Sequence, residues 1–222
     1  MIKAILFDMD GILYDSEYYY MNGTIDQMRQ YGYQGSDEAV YAIMGTTMED
    51  TYRILYDLLD HRIPMETIIK GNERYFHEEH PINFKEIMFE GVPEVLRQLK
   101  EEGIRTAVCS SSPYDLIVES LKAMGIEDCF DFIESGENVP HAKPAPDIYL
   151  LAAEALGMAK EECIVYEDSA LGIEAGKRAG IYTVARRDDR FHQDQSAADQ
   201  KIDDIRELIP LIRKENTQWQ KK

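Results

Sequence analysis

The sequence predicts an α/β fold: a parallel sheet with helices between its strands, plus a smaller all-helical domain inserted after the first strand. Three observations predict it. Short, continuously apolar runs recur along the chain, the pattern of strands buried on both faces. Four helix-length segments separate them, the first three opening on proline and all four closing on glycine. Residues 16–84 interrupt this rhythm with helical patterning and no convincing strand.

Taken in order, residues 2–7 (IKAILF) form the first strand, ending at Asp8. Helices then follow over about 17–31, 36–43, 48–60 and 64–79, punctuated by Gly32, Gly35, Gly45 and Pro64. Hinges near 13–16 and 84–91 would divide the chain into a core, 1–15 with 85–222, and an insert, 16–84. The insert is expected over the carboxyl end of the sheet, where open α/β folds place ligand sites. In the core, helices over 93–102, 113–124, 146–156 and 170–179 stop at Gly103, Gly125, Gly157 and Gly180. Strands at 105–109 (RTAVC) and 163–166 (CIVY), with weaker ones at 131–133 and 181–184, complete the alternation. The segment from Arg187 to Gln200 and the tail QKK read as mobile and polar.

Composition narrows the function. The 222 residues carry 24 bases and 42 acids, a net charge of −18. So acidic a chain repels nucleic-acid backbones and anionic lipid, so neither partner is expected. An anionic substrate would need a bound cation or a local basic group. Cys109, Cys129 and Cys163 have no CxxC spacing and suit a reducing compartment. The N-terminus lacks a signal-type apolar stretch, and no apolar run approaches a membrane span. A cytoplasmic protein is expected.

Four places could carry chemistry. Asp8 and Asp10, in Asp8-Met9-Asp10-Gly11, can both point from the sheet's carboxyl edge, one as nucleophile and one moving protons. A solvated turn is the plainer reading, and a calcium loop fails because its twelfth position is Tyr19. In Ser110-Ser111-Ser112-Pro113, Ser112 suits an N-cap, while the Ser110 hydroxyl and nearby amides could bind phosphate. Lys143 sits between His141 and two prolines, Pro144 and Pro146, which limit its wandering. Glu167-Asp168-Ser169 could supply an N-cap acid to the helix 170–179 or, with Asp8 and Asp10, a hard-cation site. All four follow strands, and their convergence is worth more than any one motif. His77-Glu78-Glu79-His80 has its histidines three apart rather than four, and reads as a solvated acidic face.

This set resembles the haloacid dehalogenase superfamily. FDMDG is similar to its first motif, Ser110 to its second, Lys143 in KPAPDIYL to its third, and Glu167-Asp168 in YEDSALGIEAGKRAG to its fourth. The helical insert looks like the small cap of the branch holding phosphoglycolate phosphatases and β-phosphoglucomutases. The resemblance implies a Rossmann-like three-layer core, a substrate-selecting cap and Mg²⁺-dependent phosphoryl transfer. It implies that Asp8 attacks phosphorus and Asp10 is acid and then base. Ser110 and Lys143 would hold the transferring oxygens. Asp8, the Asp10 carbonyl and Asp168 would hold Mg²⁺, with Glu167 direct or through water. Ser16, Glu17, Tyr20, Gly45, Thr46 and Ser111 are the expected substrate contacts. The partner expected is a small-molecule phosphate ester, and the chain a monomer or weak dimer.

Asp10 argues for phosphate esters, because transport ATPases have threonine there and 2-haloacid dehalogenases lack an acid. A β-phosphoglucomutase carries basic residues around its cap glycine, where this chain has Met44 and Met48, and a histidine where it has Tyr20. Methionines cannot hold a second phosphate. A phosphatase is therefore expected, with a phosphomutase second and a non-catalytic binding protein third.

Overall fold

The computed structural model describes residues 1–44, 46, 48–190 and 193–219. Six strands, β1 (Ala4–Phe7), β2 (Arg105–Ser110), β3 (Phe132–Ser135), β4 (Cys163–Glu167), β5 (Tyr182–Arg186) and β6 (Gln200–Ile202), form one sheet in the order β3-β2-β1-β4-β5-β6. Every neighbouring pair is parallel. The chain moves outward from β1 through β2 to β3, then returns to the other side of β1 with β4. That reversal is the switch point at whose carboxyl end open α/β sheets bind ligands.

The helices are α1 (Ser16–Gln30), α2 (Asp37–Val40), α3 (Met48–Leu58), α4 (Met65–Arg74), α5 (Phe84–Ile87), α6 (Val92–Glu101), α7 (Tyr114–Met124), α8 (Asp147–Ala155), α9 (Ala170–Ala179) and α10 (Leu208–Trp219). Two compact units result: Met1–Asp15 with Phe84–Lys222, which holds the sheet, and the helical Ser16–Asn83.

In the sheet unit β1 and β4 are buried along their whole length, which is why their sequences are apolar without alternation. Ala4, Leu6, Ala107, Cys109 and Val165 pack with Ile148, Tyr149 and Ala152 of α8 and Ala175 and Ala179 of α9. Residues of opposite parity, Ile5, Phe7, Ile164 and Tyr166, are equally buried, so both faces are covered. α7 and α9 end on glycines with left-handed backbone, Gly125 (φ 73) and Gly180 (φ 70), as the stop signals require. In the helical unit α4 runs on through a π-turn, Tyr75–Glu79, where Tyr75 and His80 pack ring on ring with centroids 4.3 Å apart.

Two expectations change. The segment after Arg187 is not simply a mobile polar stretch. The Gln195 amide is buried and donates to the carbonyls of Arg186 (2.6 Å) and Asp168 (2.7 Å), and β6 follows at Gln200. Secondly, α10 was not anticipated; it buries Leu208, Ile209, Leu211 and Ile212. The tail QKK lies outside the described residues. Among the described residues, no helix is long and apolar enough to cross a membrane.

Candidate active site

Parallel register assembles the site. Phe7 on β1 pairs with Val108 on β2 and with Tyr166 on β4, so the next residues, Asp8, Cys109 and Glu167, reach the carboxyl rim at one level. The Asp8 amide donates to the Tyr166 carbonyl at 2.9 Å, extending the ladder one step beyond the strand.

Lys143 arrives from the loop before α8. Its Nζ donates to Asp8 Oδ1 (2.5 Å), Glu167 Oε1 (2.8 Å) and the Cys109 carbonyl (2.9 Å), which uses all three ammonium protons. The ammonium also lies 5.0 Å from the Tyr149 ring centroid. The lysine side chain is only 6% exposed, which is tolerable because it is fully paired. Burial alone would lower its pKa; Asp8 and Glu167 outweigh burial and hold it well above its ordinary value.

Glu167 is the anchor of this pair. Oε1 accepts from Lys143 and from the Tyr149 hydroxyl (3.1 Å). Oε2 accepts from the amides of Asp168 and Ser169 (2.8 Å each) and from Ser169 Oγ (3.0 Å). Burial pushes its pKa up, but Lys143 and Ser169 prevail and hold it low. At Asp8 the balance runs the other way: burial, with the Glu167 and Asp10 charges, pushes its pKa up to about 7 against the pull of Lys143.

Asp168 is buried across the site. Gly11 lies against it with φ 70, and a Cβ at that position would fall 2.1 Å from Asp168 Oδ2, so the approach needs glycine both sterically and conformationally. One oxygen each from Asp8, Glu167 and Asp168 all lie within 4.8 Å of one another, the one group of three or more His, Cys, Asp or Glu side chains among the described residues so placed to hold a metal ion.

Asp10 accepts from two hydroxyls, Tyr14 on Oδ1 (2.9 Å) and Ser112 on Oδ2 (3.0 Å). This corrects the expectation that Ser112 caps the next helix: α7 begins at Tyr114 after Pro113, and the Ser112 hydroxyl goes to Asp10. The cap of α9 is likewise not an acid but Ser169, whose Oγ accepts from the Gly172 amide. Ser110 is buried and its Oγ accepts from the Ser112 amide (3.1 Å), while Ser111 is exposed.

Asp8, Asp10, Ser110, Ser111, Lys143, Glu167 and Asp168 thus all belong to the sheet unit. Of the remaining expected residues, Ser16, Glu17 and Tyr20 stand in the first turns of α1 in the helical unit. Ser16 is buried, Glu17 half-buried and Tyr20 exposed. Thr46 is exposed, its hydroxyl donating to the Ile43 carbonyl (2.7 Å). Gly45 lies outside the described residues. Tyr14, Tyr149 and Gln195 were missed. Tyr14 and Gln195 carry no motif, and Tyr149 lies within KPAPDIYL, where only Lys143 is read as chemical; each touches the site through a hydroxyl or amide placed by folding.

The profile of the haloacid dehalogenase-like hydrolase family matches residues 5–186, a stretch that runs from β1 to the end of β5. The chain belongs to this family. A phosphorylated carbohydrates phosphatase of Thermotoga maritima is 35% identical over 182 residues, covering 81% of this chain and 82% of its own. Hexitol phosphatase B of Escherichia coli is 29% identical over 222 residues, covering 93% and 94%. Among solved structures, one described as a candidate β-phosphoglucomutase from Thermotoga maritima superimposes with a TM-score of 0.77 at 28% identity, covering 96% of this chain and 99% of that one. The family assignment makes the chain a hydrolase.

Proposed function

We propose that this enzyme is a Mg²⁺-dependent phosphatase of small phosphomonoesters, with phosphorylated sugars and polyols as its substrate class. The observation that carries the reading is the buried Lys143 ammonium shared between Asp8 and Glu167, with Asp168 beside them. A carboxylate so held is oriented to attack, and the ammonium offsets part of the Glu167 and Asp10 charge beside it. The substrate class is supported by the carbohydrate and hexitol phosphatases to which the chain is similar.

The residues fit a hard cation. Their ligand atoms are carboxylate oxygens, they cluster within 4.8 Å, and the missing Cβ of Gly11 leaves the Asp168 carboxylate room. Asp8, Asp168 and the Asp10 carbonyl would hold Mg²⁺. The five donors already on Glu167 favour contact through water. Bound there, the ion would neutralise phosphoryl charge that a protein of net charge −18 otherwise repels.

The chain's own groups do the rest. Asp8 attacks phosphorus and becomes an aspartyl phosphate as the ester oxygen leaves. Asp10 gives that oxygen a proton, then takes one from the water that hydrolyses the intermediate. The Ser110 hydroxyl and Lys143 hold the transferring oxygens, Lys143 by exchanging one of its three present acceptors for a phosphoryl oxygen. The helical unit selects the substrate through Ser16, Glu17, Tyr20, Gly45 and Thr46, with Ser111 contributing from the sheet unit. We place the enzyme in the cytoplasm, as a monomer or weak dimer.

The test is phosphate release across hexose, pentose and polyol phosphates, with and without Mg²⁺, repeated with Asp8→Asn. Turnover that needs Mg²⁺ and is lost in the variant supports the reading. A wild-type chain inert on the whole panel overturns it in favour of a binding protein. Similarity to a described phosphoglucomutase keeps a mutase as the second reading. Conversion of β-glucose 1-phosphate to glucose 6-phosphate faster than phosphate release would establish that instead. Met44 and Met48 offer a second phosphate no cation, so release is expected to win.

A further inference from the structure

We infer that Tyr14 is a positioning residue for Asp10: its phenol, acting with the Ser112 hydroxyl, fixes the plane of the carboxylate that moves protons. The inference rests on the reading of Asp10 as general acid and base.

The geometry starts in the loop after β1. The amides of Ile12 and Leu13 both donate to the Met9 carbonyl (3.3 and 2.8 Å), and the Gly11 amide donates to the Tyr14 carbonyl (3.0 Å). Residues 9–14 are thereby wound into a compact turn that carries the Tyr14 side chain back over Asp10, four positions earlier. The phenol donates to Asp10 Oδ1 at 2.9 Å, within the ordinary O–H···O range.

Tyr14 is itself held. It is 2% exposed, and its ring meets Phe84 edge to face at 5.2 Å. Its backbone bridges antiparallel to Met88. On either side the Asp15 amide donates to the Ile87 carbonyl (2.9 Å) and the Phe89 amide to the Leu13 carbonyl (3.1 Å). The phenolic oxygen therefore has little freedom to follow a moving carboxylate.

The second tether comes from a different strand. Ser112 donates to Asp10 Oδ2 at 3.0 Å. Its amide is held by Ser110 Oγ (3.1 Å) and its carbonyl by Ser135 Oγ (2.7 Å). With one donor on each oxygen, the Asp10 carboxylate cannot turn about its Cβ–Cγ bond without losing both. Packing alone would be served as well by phenylalanine at position 14. A buried tyrosine hydroxyl needs an acceptor, and the one chosen is the group whose aim the reaction depends on. Proton transfer requires that group within about 2.6–3.2 Å of the leaving oxygen, and an error of about 1 Å in a reacting group can cost roughly 100-fold.

The test uses leaving groups of different need. Nitrophenolate departs without a proton, whereas a sugar or polyol alkoxide does not. Steady-state kinetics on p-nitrophenyl phosphate and on the fastest alkyl phosphate of the panel would compare the wild type with Tyr14→Phe, Ser112→Ala, the double variant and Asp10→Asn. Each single variant is expected to lose about 10-fold in kcat/KM on the alkyl phosphate, with KM unchanged and less than about 3-fold loss on the aryl phosphate, as orientation effects of this size imply. The double variant should approach Asp10→Asn. Should Tyr14→Phe fold poorly, Ser112→Ala reads the same carboxylate from its other oxygen, and the same split is required. If Asp10→Asn cripples alkyl phosphate turnover but the hydroxyl variants lose nothing, or lose equally on both substrates, the positioning role is overturned while the role of Asp10 stands. If Asp10→Asn spares the alkyl phosphate, the acid–base reading falls and takes Tyr14 with it.

Discussion

Glu167 shows how much one side chain can be asked to do. Its two oxygens receive a lysine, a tyrosine hydroxyl, two backbone amides and a serine hydroxyl, all in a buried setting. Glu167→Gln keeps the volume but removes the charge and turns one acceptor into a donor. That donor must then face Lys143 and Tyr149 or the amides of Asp168 and Ser169, none of which can accept without rearrangement. Breaking a buried, hydrogen-bonded ion pair costs about 3–5 kcal/mol, the more so because the surviving charge stays buried. Lys143 keeps Asp8 as a partner, which places the expected loss near the lower end, about 3 kcal/mol. Urea denaturation followed by circular dichroism would measure it; a loss below about 1 kcal/mol, the scale of an exposed pair, would mean Glu167 is not the anchor described.

At the scale of elements, the segment between β5 and β6 is the informative one. Gln195 ties the Asp168 carbonyl to the Arg186 carbonyl, and Arg190 grips Asp15 with two parallel bonds of 2.7 and 2.9 Å. The segment thus braces the backbone of Asp168 as well as the end of the first linker. Gln195→Leu retains the bulk but removes the donor from both carbonyls, one of them buried. Each unsatisfied group costs about 1–3 kcal/mol. The variant should lose about 2 kcal/mol in thermal denaturation and bind Mg²⁺ more weakly by isothermal calorimetry. Lower stability with wild-type Mg²⁺ affinity would confine Gln195 to a packing role. None of this bracing was legible in the sequence, where the segment is merely polar. The most legible strands, β1, β2 and β4, are those buried almost throughout, because burial on both faces forces an uninterrupted apolar run, while β3 and β5, half-buried at their ends, leave the weaker signals at 131–133 and 181–184. β6 is a three-residue edge strand, Gln200–Ile202, with only its last residue buried, and leaves no such trace. The same divide runs through the site. Asp8, Lys143 and Glu167 sit in recognisable motifs at strand or helix ends. Tyr14 looks like a core residue and Ser112 like a cap, because their shared partner is set by the turn at 9–14 and by a contact 102 positions away in sequence.

At the scale of the whole molecule, the two units should respond differently to the cation. Asp8, Glu167 and Asp168 all belong to the unit formed by Met1–Asp15 and Phe84–Lys222, and none to Ser16–Asn83. A ligand that binds only the folded state stabilises it by about 2.7 kcal/mol at 100 times its dissociation constant. Amides that exchange through opening of that unit should then slow by roughly 100-fold. Hydrogen exchange read by mass spectrometry should show this slowing in peptides from β1 and β4 when Mg²⁺ is added, and none in peptides from α3 and α4. With a net charge of −18, counterions also relieve general repulsion, so the comparison must be made against NaCl at equal ionic strength. Repulsion relieved across the surface would protect both units alike and would persist in NaCl. Specific binding protects one unit and does not. Equal Mg²⁺-specific slowing in α3 and α4 would show that the units unfold together, and no slowing anywhere would remove the cation from the site.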